Sequence, residues 1–329
     1  MNRAVLLFLA FLSLIFVPGV SQRYEIKKEN SCIHFFEPEI RAVINEPADL
    51  YMNRDKPLDL IIFVLPNGNT IEQTFGKKTS DTLEWRYEIQ HIGAQTRLLR
   101  EICADKNIVV VYLEAKEKSF PSWRKKFANS GEIINSIIDS LRMRYAEFRT
   151  SVVLTGHSGG GSFIFGFLNY HKTVPDYIKR ISFLDSNYGY SKEEGHFDKL
   201  FEWLKRDAGN FLSVIAYDDR NIELNGRKVL SPTGGTFRRA TEMKEHFSPE
   251  GELVTVTDSV IEKTVSGELG LEILIHLNPE NLILHTVLVE RNGFLQAMLT
   301  GTECTMPFIF WGERAYIKYI EPEINYICK

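Results

Sequence analysis

The chain has 329 residues, with 39 lysines and arginines against 43 aspartates and glutamates, for a formal net charge of −4. That balance excludes an extended nucleic-acid-binding face and an acidic tail. A composition of 44% hydrophobic, 25% charged and 12% aromatic residues excludes a disordered or fibrous chain and supplies one large core.

The first element is a leader. Met1, Asn2 and Arg3 precede an apolar run at 4–17 broken only by Ser13, and Pro18-Gly19-Val20-Ser21 follows. The run is too short for roughly 30 Å of hydrocarbon, and small residues stand at Gly19 and Ser21, so residues 1–21 read as a signal peptide cut before Gln22. An uncleaved membrane anchor is the alternative. No later stretch could cross a membrane, so export to a secreted or periplasmic location without a stable membrane span is expected. Export makes the four cysteines, Cys32, Cys103, Cys304 and Cys328, candidates for disulfides. The two nearest the mature ends, Cys32 and Cys328, are the expected pair, and Cys103 reads equally well as a small buried hydrophobe. None has metal-ligand spacing.

An edge strand is expected within 32–44, interrupted by Pro38. Five near-continuous apolar runs follow, at 60–65, 108–113, 151–155, 181–184 and 211–217, which is how strands covered on both faces read. Helical spacing lies between them at 82–104, 132–145, 160–171 and 196–205, with Ile133, Ile134, Ile137, Ile138 and Leu141 on one stripe. The expectation is an α/β fold, a mostly parallel sheet with helices on both faces, spanning 22–329. After Tyr217 the rhythm breaks. Residues 218–236 are loop-like, 237–246 is helical, and the stretch at about 220–270 reads as an insertion. Beyond it, 272–277 and 282–290 flank Asn278-Pro279-Glu280-Asn281 as a hairpin.

The sharpest motif is Gly156-His157-Ser158-Gly159-Gly160, between the strand at 151–155 and the helix opening at Gly160. A serine in a strained strand-to-helix turn needs small neighbours, and its hydroxyl then projects above the carboxyl edge of the sheet. The helix dipole and the Gly159 N–H would face an oxyanion there. From about Leu58 to Asp219 the chain resembles the α/β-hydrolase superfamily. The resemblance implies a Ser, acid, His order and acyl transfer without a cofactor. It implies a second oxyanion donor after the strand ending at Leu65, where Pro66-Asn67-Gly68-Asn69 makes the Asn69 N–H the candidate. The acid is expected after the strand at 211–217, at Asp219, with Asp218 next and Asp185 third. The base must then be His246, His276 or His285, and His285 is preferred because it adjoins the last strongly apolar run. The stretch at 291–296 after that run lacks a histidine, and Gln296 could mark a lost base.

Weaker features are Trp85, Tyr87 and His91, which could rim a cleft or pack, and Ser119-Phe120-Pro121-Ser122-Trp123, which could supply aromatic substrate contacts ahead of a solvated Arg124-Lys125-Lys126. The expected function is an exported serine hydrolase cleaving a small-molecule or polysaccharide ester through Ser158, with no nucleic-acid partner, no metal and no cofactor. A serine peptidase and a catalytically silent hydrolase-like binding protein are the alternatives.

Overall fold

The strand Asn107–Ala115 buries all nine of its residues, as only a central strand packed on both faces can. In the computed structural model, which describes residues 29–78, 84–321, 324, 326 and 327, it lies in a ten-stranded sheet. In chain order the elements are β1 (Glu29–Phe36), β2 (Ile40–Pro47), β3 (Leu58–Val64), α1 (Ile71–Phe75), α2 (Ile92–Ile102), β4 (Asn107–Ala115), α3 (Phe120–Lys126), α4 (Ser130–Arg144), β5 (Thr150–His157), α5 (Gly161–Tyr170) and β6 (Ile178–Leu184). Then come α6 (His196–Arg206), β7 (Phe211–Tyr217), the two-residue strands β8 (Glu223–Leu224) and β9 (Arg227–Lys228), α7 (Thr236–Phe247), β10 (Val254–Thr257), β11 (Ile261–Ser266), β12 (Leu271–His276) and α8 (Phe294–Leu299).

The sheet order is β1-β2-β4-β3-β5-β6-β7-β12-β11-β10. The run from β4 to β12 is parallel, and antiparallel pairs close both edges. This is the mostly parallel α/β sheet expected from the apolar runs. Alternation along β3 builds its two faces: Leu58, Leu60, Ile62 and Val64 meet α3 to α7, whereas Ile61 and Phe63 meet α1, α2 and α8.

Two expectations change here. The last parallel strand is β12, and its antiparallel neighbour is β11, so the hairpin lies upstream of the one expected; residues 282–290 run from irregular chain through a turn into helix, with Leu284 and Leu288 buried as anchors. The segment read as an insertion holds α7 on one face of the sheet and adds β10 and β11 to its edge. The second change concerns the cysteines. Cys103 at the end of α2 is bonded to Cys304, with Cα atoms 6.1 Å apart. Cys32 Sγ lies 3.5 Å from the Ile327 carbonyl, but its expected partner Cys328, like residues 1–28 with the signal peptide, lies outside the described residues. No helix among the described residues is long and apolar enough to cross a membrane.

The N-terminal edge is fastened by charge. Glu29 on β1 is 7% exposed and accepts hydrogen bonds from Arg97 (Nε 3.0 Å, Nη2 2.6 Å) and Arg100 (Nη1 2.9 Å) of α2. The guanidiniums complete their contacts on the carbonyls of Tyr319, Ile108 and Asn45. Two buried cations around one carboxylate cannot lose it cheaply. Glu29→Gln is therefore expected to lower unfolding free energy by about 3 kcal/mol, read as a lower denaturant midpoint. An unchanged midpoint would show that the cluster contributes no net stability.

Candidate active site

The turn after β5 holds Ser158 at φ 54°, a left-handed conformation that a serine adopts only under tertiary constraint. Neighbouring backbone supplies it. A Cβ at Gly160 would stand 2.2 Å from the Val64 carbonyl oxygen, and one at Gly161 would stand 1.8 Å from that of Ser186. Glycine at these positions lets β3 and the segment after β6 close on the turn. Ser186 also donates from Oγ to the Gly156 carbonyl at 2.8 Å. Ser158 thus lies at the carboxyl end of β5 with α5 starting behind it.

Of the three candidate histidines, only His285 comes to this turn. It lies in the loop after β12, nine residues past the strand end at His276. His157, wholly buried, faces it: the rings are 4.5 Å apart, and His157 Nε2 lies 2.9 Å from the His285 carbonyl oxygen. Burial holds the His157 imidazole well below the usual histidine range, and the charge of His285 adds to the effect. A neutral His157 therefore donates from Nε2 and pins the backbone of His285 beside the elbow. Its Nδ1 meets the Gln90 side-chain amide at 3.2 Å. No hydrogen bond within 3.5 Å joins Ser158 to His285. The other two histidines are engaged elsewhere, His276 against Trp311 with Nδ1 accepting from Asn278 N, and His246 with the Tyr190 hydroxyl. Gln296 is buried on α8, donating to Glu272, away from His285.

The carboxylate that meets His285 is Asp185, through Oδ2 to Nδ1, in place of the expected Asp219. Asp185 follows β6 directly, at φ 46°, and is fully buried. Asp219 lies behind it. Its Oδ2 accepts from Thr236 N at 2.8 Å and touches Thr236 Oγ1 at 3.3 Å, while Oδ1 is buried without a partner. Thr236 Oγ1 also meets Asp185 Oδ1. One hydroxyl has one hydrogen; spent on Asp185, it leaves the contact with Asp219 to be filled by a proton on Asp219 itself. Burial, and then the charge of Asp185, push Asp219 up to about 6, in accord with that count. Asp218, the second choice, is bound instead by Arg220 at 2.9 and 2.6 Å.

The loop after β3 also differs from expectation. Asn69 N donates within its own turn to the Pro66 carbonyl at 3.5 Å, and it is Asn67 whose side chain lies against Gly159, where a Cβ would come within 2.1 Å of Oδ1. Asn67, Gly159 and Ser158 share the wall of a cavity of about 500 Å³. Sequence reasoning missed Arg124, which lines this cavity together with Pro121; Phe120 and Trp123 point into the core, with Trp123 Nε1 donating to the Pro38 carbonyl. His91 is buried against Tyr316 and rims nothing. A second cavity of about 420 Å³ lies at the opposite end of the strands beside Cys103 and Cys304, far from this turn.

No family model matches the chain, and no curated protein matches it. Among solved structures the chain is similar to a thermostable esterase, at 12% identity and a TM-score of 0.47, over 83% of this chain and 62% of that one. It thus spans less than two thirds of that esterase. A siderophore hydrolase, EstB, from Aspergillus nidulans is 11% identical, with a TM-score of 0.44 over 84% of this chain and 96% of that one. Esterase 2 of Thermogutta terrifontis, phosphorylated by paraoxon, is 12% identical, with a TM-score of 0.43 over 85% and 98%.

An acid that holds its proton more tightly when folded stabilises the fold at low pH, and that contribution is lost as pH rises from about 4 through 6. Asp219→Asn is accordingly expected to gain on the wild type, on the order of 2–3 kcal/mol, between pH 4 and pH 7.5. Denaturant unfolding at both pH values measures it. A difference that does not change with pH would place the ionised carboxylate comfortably in the fold.

Proposed function

We propose that the chain is a serine esterase working by acyl transfer through Ser158. The observation that supports this most is the His285–Asp185 contact held beside a strained serine turn. Substrate binding brings Ser158 Oγ and His285 Nε2 together, a contact that free enzymes often hold loosely. Oγ then bonds to the ester carbonyl carbon while its proton passes to Nε2. Asp185 accepts the Nδ1 hydrogen bond, which fixes the tautomer with its lone pair toward serine and stabilises the imidazolium. The oxyanion is met by the Gly159 N–H, in the turn just before α5, and by Asn67. Collapse breaks the bond to the alcohol oxygen, which leaves with the proton from Nε2. Water repeats the sequence on the acyl-enzyme, releasing the acid and restoring serine.

The roughly 500 Å³ cavity suits a small ester or one end of a larger one, such as an ester group on a glycan. The leader in the sequence supports export, so intact mass of the exported protein is expected to begin at Gln22, and a mass that retains residues 1–21 would refute cleavage there.

A fluorophosphonate probe is expected to label Ser158, to fail on Ser158→Ala, and to label His285→Ala and Asp185→Asn slower by two or more orders of magnitude. Asp219→Asn is expected to lose far less, within about tenfold, because Asp219 touches Thr236 and not the imidazole. If Asp219→Asn and Asp185→Asn rank the other way, the acid assignment is wrong. Folded wild type that never labels would instead support a silent binding protein.

A further inference from the structure

The cavity at Ser158 has a charged architecture that the ester reaction itself does not use. Its floor is one face of α5, where Ser162, Phe165 and Asn169 recur at helical spacing. Arg124 reaches across that face from α3. Its Nη1 donates to the Ser162 carbonyl at 2.9 Å and lies 3.3 Å from Ser162 Oγ, and its stem lies on Gly166, where a Cβ would come within 2.9 Å of Nε and 3.2 Å of Cδ. Gly166 therefore makes the groove in which the arginine rests, and Ser162 fixes its height.

Among the described residues no carboxylate lies within 4 Å of the guanidinium, and Nε is buried without an acceptor. Most other arginines of the fold have a carboxylate, as Arg97 and Arg100 do with Glu29. Glu194 acts on Arg124 through space without touching it, while burial still disfavours the charge; a partly buried cation with no contacting counter-ion is costly to hold, and an incoming anion recovers part of that cost. The one acid on the cavity wall, Glu194, is engaged by Asn169 Nδ2 at 2.6 Å and lies 3.6 Å from His196 Nε2. Position orders the two charges along the wall, with the guanidinium lying from Ser162 to Gly166 and Glu194 held at Asn169. Ser162 is four residues past the nucleophile, a helical rise of roughly 6 Å, and Asn169 is eleven residues past it, roughly 16 Å. From Ser158 outward, a substrate meets the cation first and the carboxylate only at the far end.

We infer that the substrate of this site is an anionic ester, carrying a carboxylate about one helical turn from the scissile carbonyl, which Arg124 receives. This rests on the esterase reading above and names its substrate class. A four-bond spacer of 1.5 Å C–C bonds reaches roughly 5 Å, which suits a five-carbon diacid monoester. A longer diacid would carry its charge to Glu194 and be repelled. A carboxylate on the acyl or on the alcohol side offers the guanidinium the same partner, so both sides are tested.

The acyl pair is 4-nitrophenyl hemiglutarate against 4-nitrophenyl valerate, and the alcohol pair is 4-acetoxybutanoate against butyl acetate. The wild type is expected to favour the anionic member of at least one pair by on the order of tenfold or more in kcat/KM, mainly through KM. Arg124→Gln is expected to bring that ratio to about one or below, and Arg124→Lys to retain part of it. Glu194→Gln is expected to raise turnover of the eight-carbon hemisuberate relative to hemiglutarate. Preference for the neutral member in both wild-type pairs overturns the inference, whatever the variants do, and so does an anionic preference that survives Arg124→Gln. If valerate and butyl acetate are cleaved while the anionic esters are refused, only this inference fails. If no ester is cleaved and the fluorophosphonate does not label, the esterase reading fails and takes the inference with it.

Discussion

Close backbone approach at one turn governs this molecule. The Val64 carbonyl presses on Gly160 and the Ser186 carbonyl on Gly161, so β3, β5 and the segment after β6 can converge only because those positions lack a Cβ. That convergence fixes more than the serine. It brings the end of β6, and with it Asp185, alongside Ser158, and it sets the start of α5, whose face becomes the cavity floor. A larger side chain at either glycine would separate three parallel strands at their carboxyl ends, where all of the proposed chemistry lies.

Buried polar contacts then carry the arrangement outward. His157 holds the loop bearing His285 by a carbonyl contact added to the packing of Leu284 and Leu288, and Thr236 ties α7 to Asp185 and Asp219 together. The segment that interrupts the strand rhythm therefore has a structural duty at the site. Without α7, Asp185 would lose the hydroxyl that faces its second oxygen, and Asp219 would lose the Thr236 N–H that its own carboxyl accepts.

Much of this is legible in the residues, because a parallel sheet writes itself as apolar runs and because a serine flanked by glycines directly after such a run is what a tight strand-to-helix turn requires. The acid is not. Asp185 and Asp219 both end parallel strands at the same edge, on neighbours roughly 4.8 Å apart, and spacing along the chain cannot say which side chain turns toward histidine. The proposed base can be chosen from chain order but not placed on its element, since Leu284, Leu288 and Val289 are apolar as loop and helix anchors and mimic a strand. The antiparallel partner of β12 is β11, where the consecutive charges Glu262 and Lys263 break the apolar pattern on both faces. Arg124 is hidden for a related reason: beside Lys125 and Lys126 it reads as a wetted face, and only the notch at Gly166, forty-two residues on, turns it inward.

The bond between Cys103 and Cys304 encloses Arg124, Ser158, Asp185, Asp219, Thr236 and His285 within one covalent ring. The most open stretch of that ring is the solvent-exposed run at 223–229, around the small β8–β9 hairpin. Outside a cell, proteases meet such a run first. A single cut there would leave a two-chain protein that still carries every one of those groups, its halves separable only by a reductant.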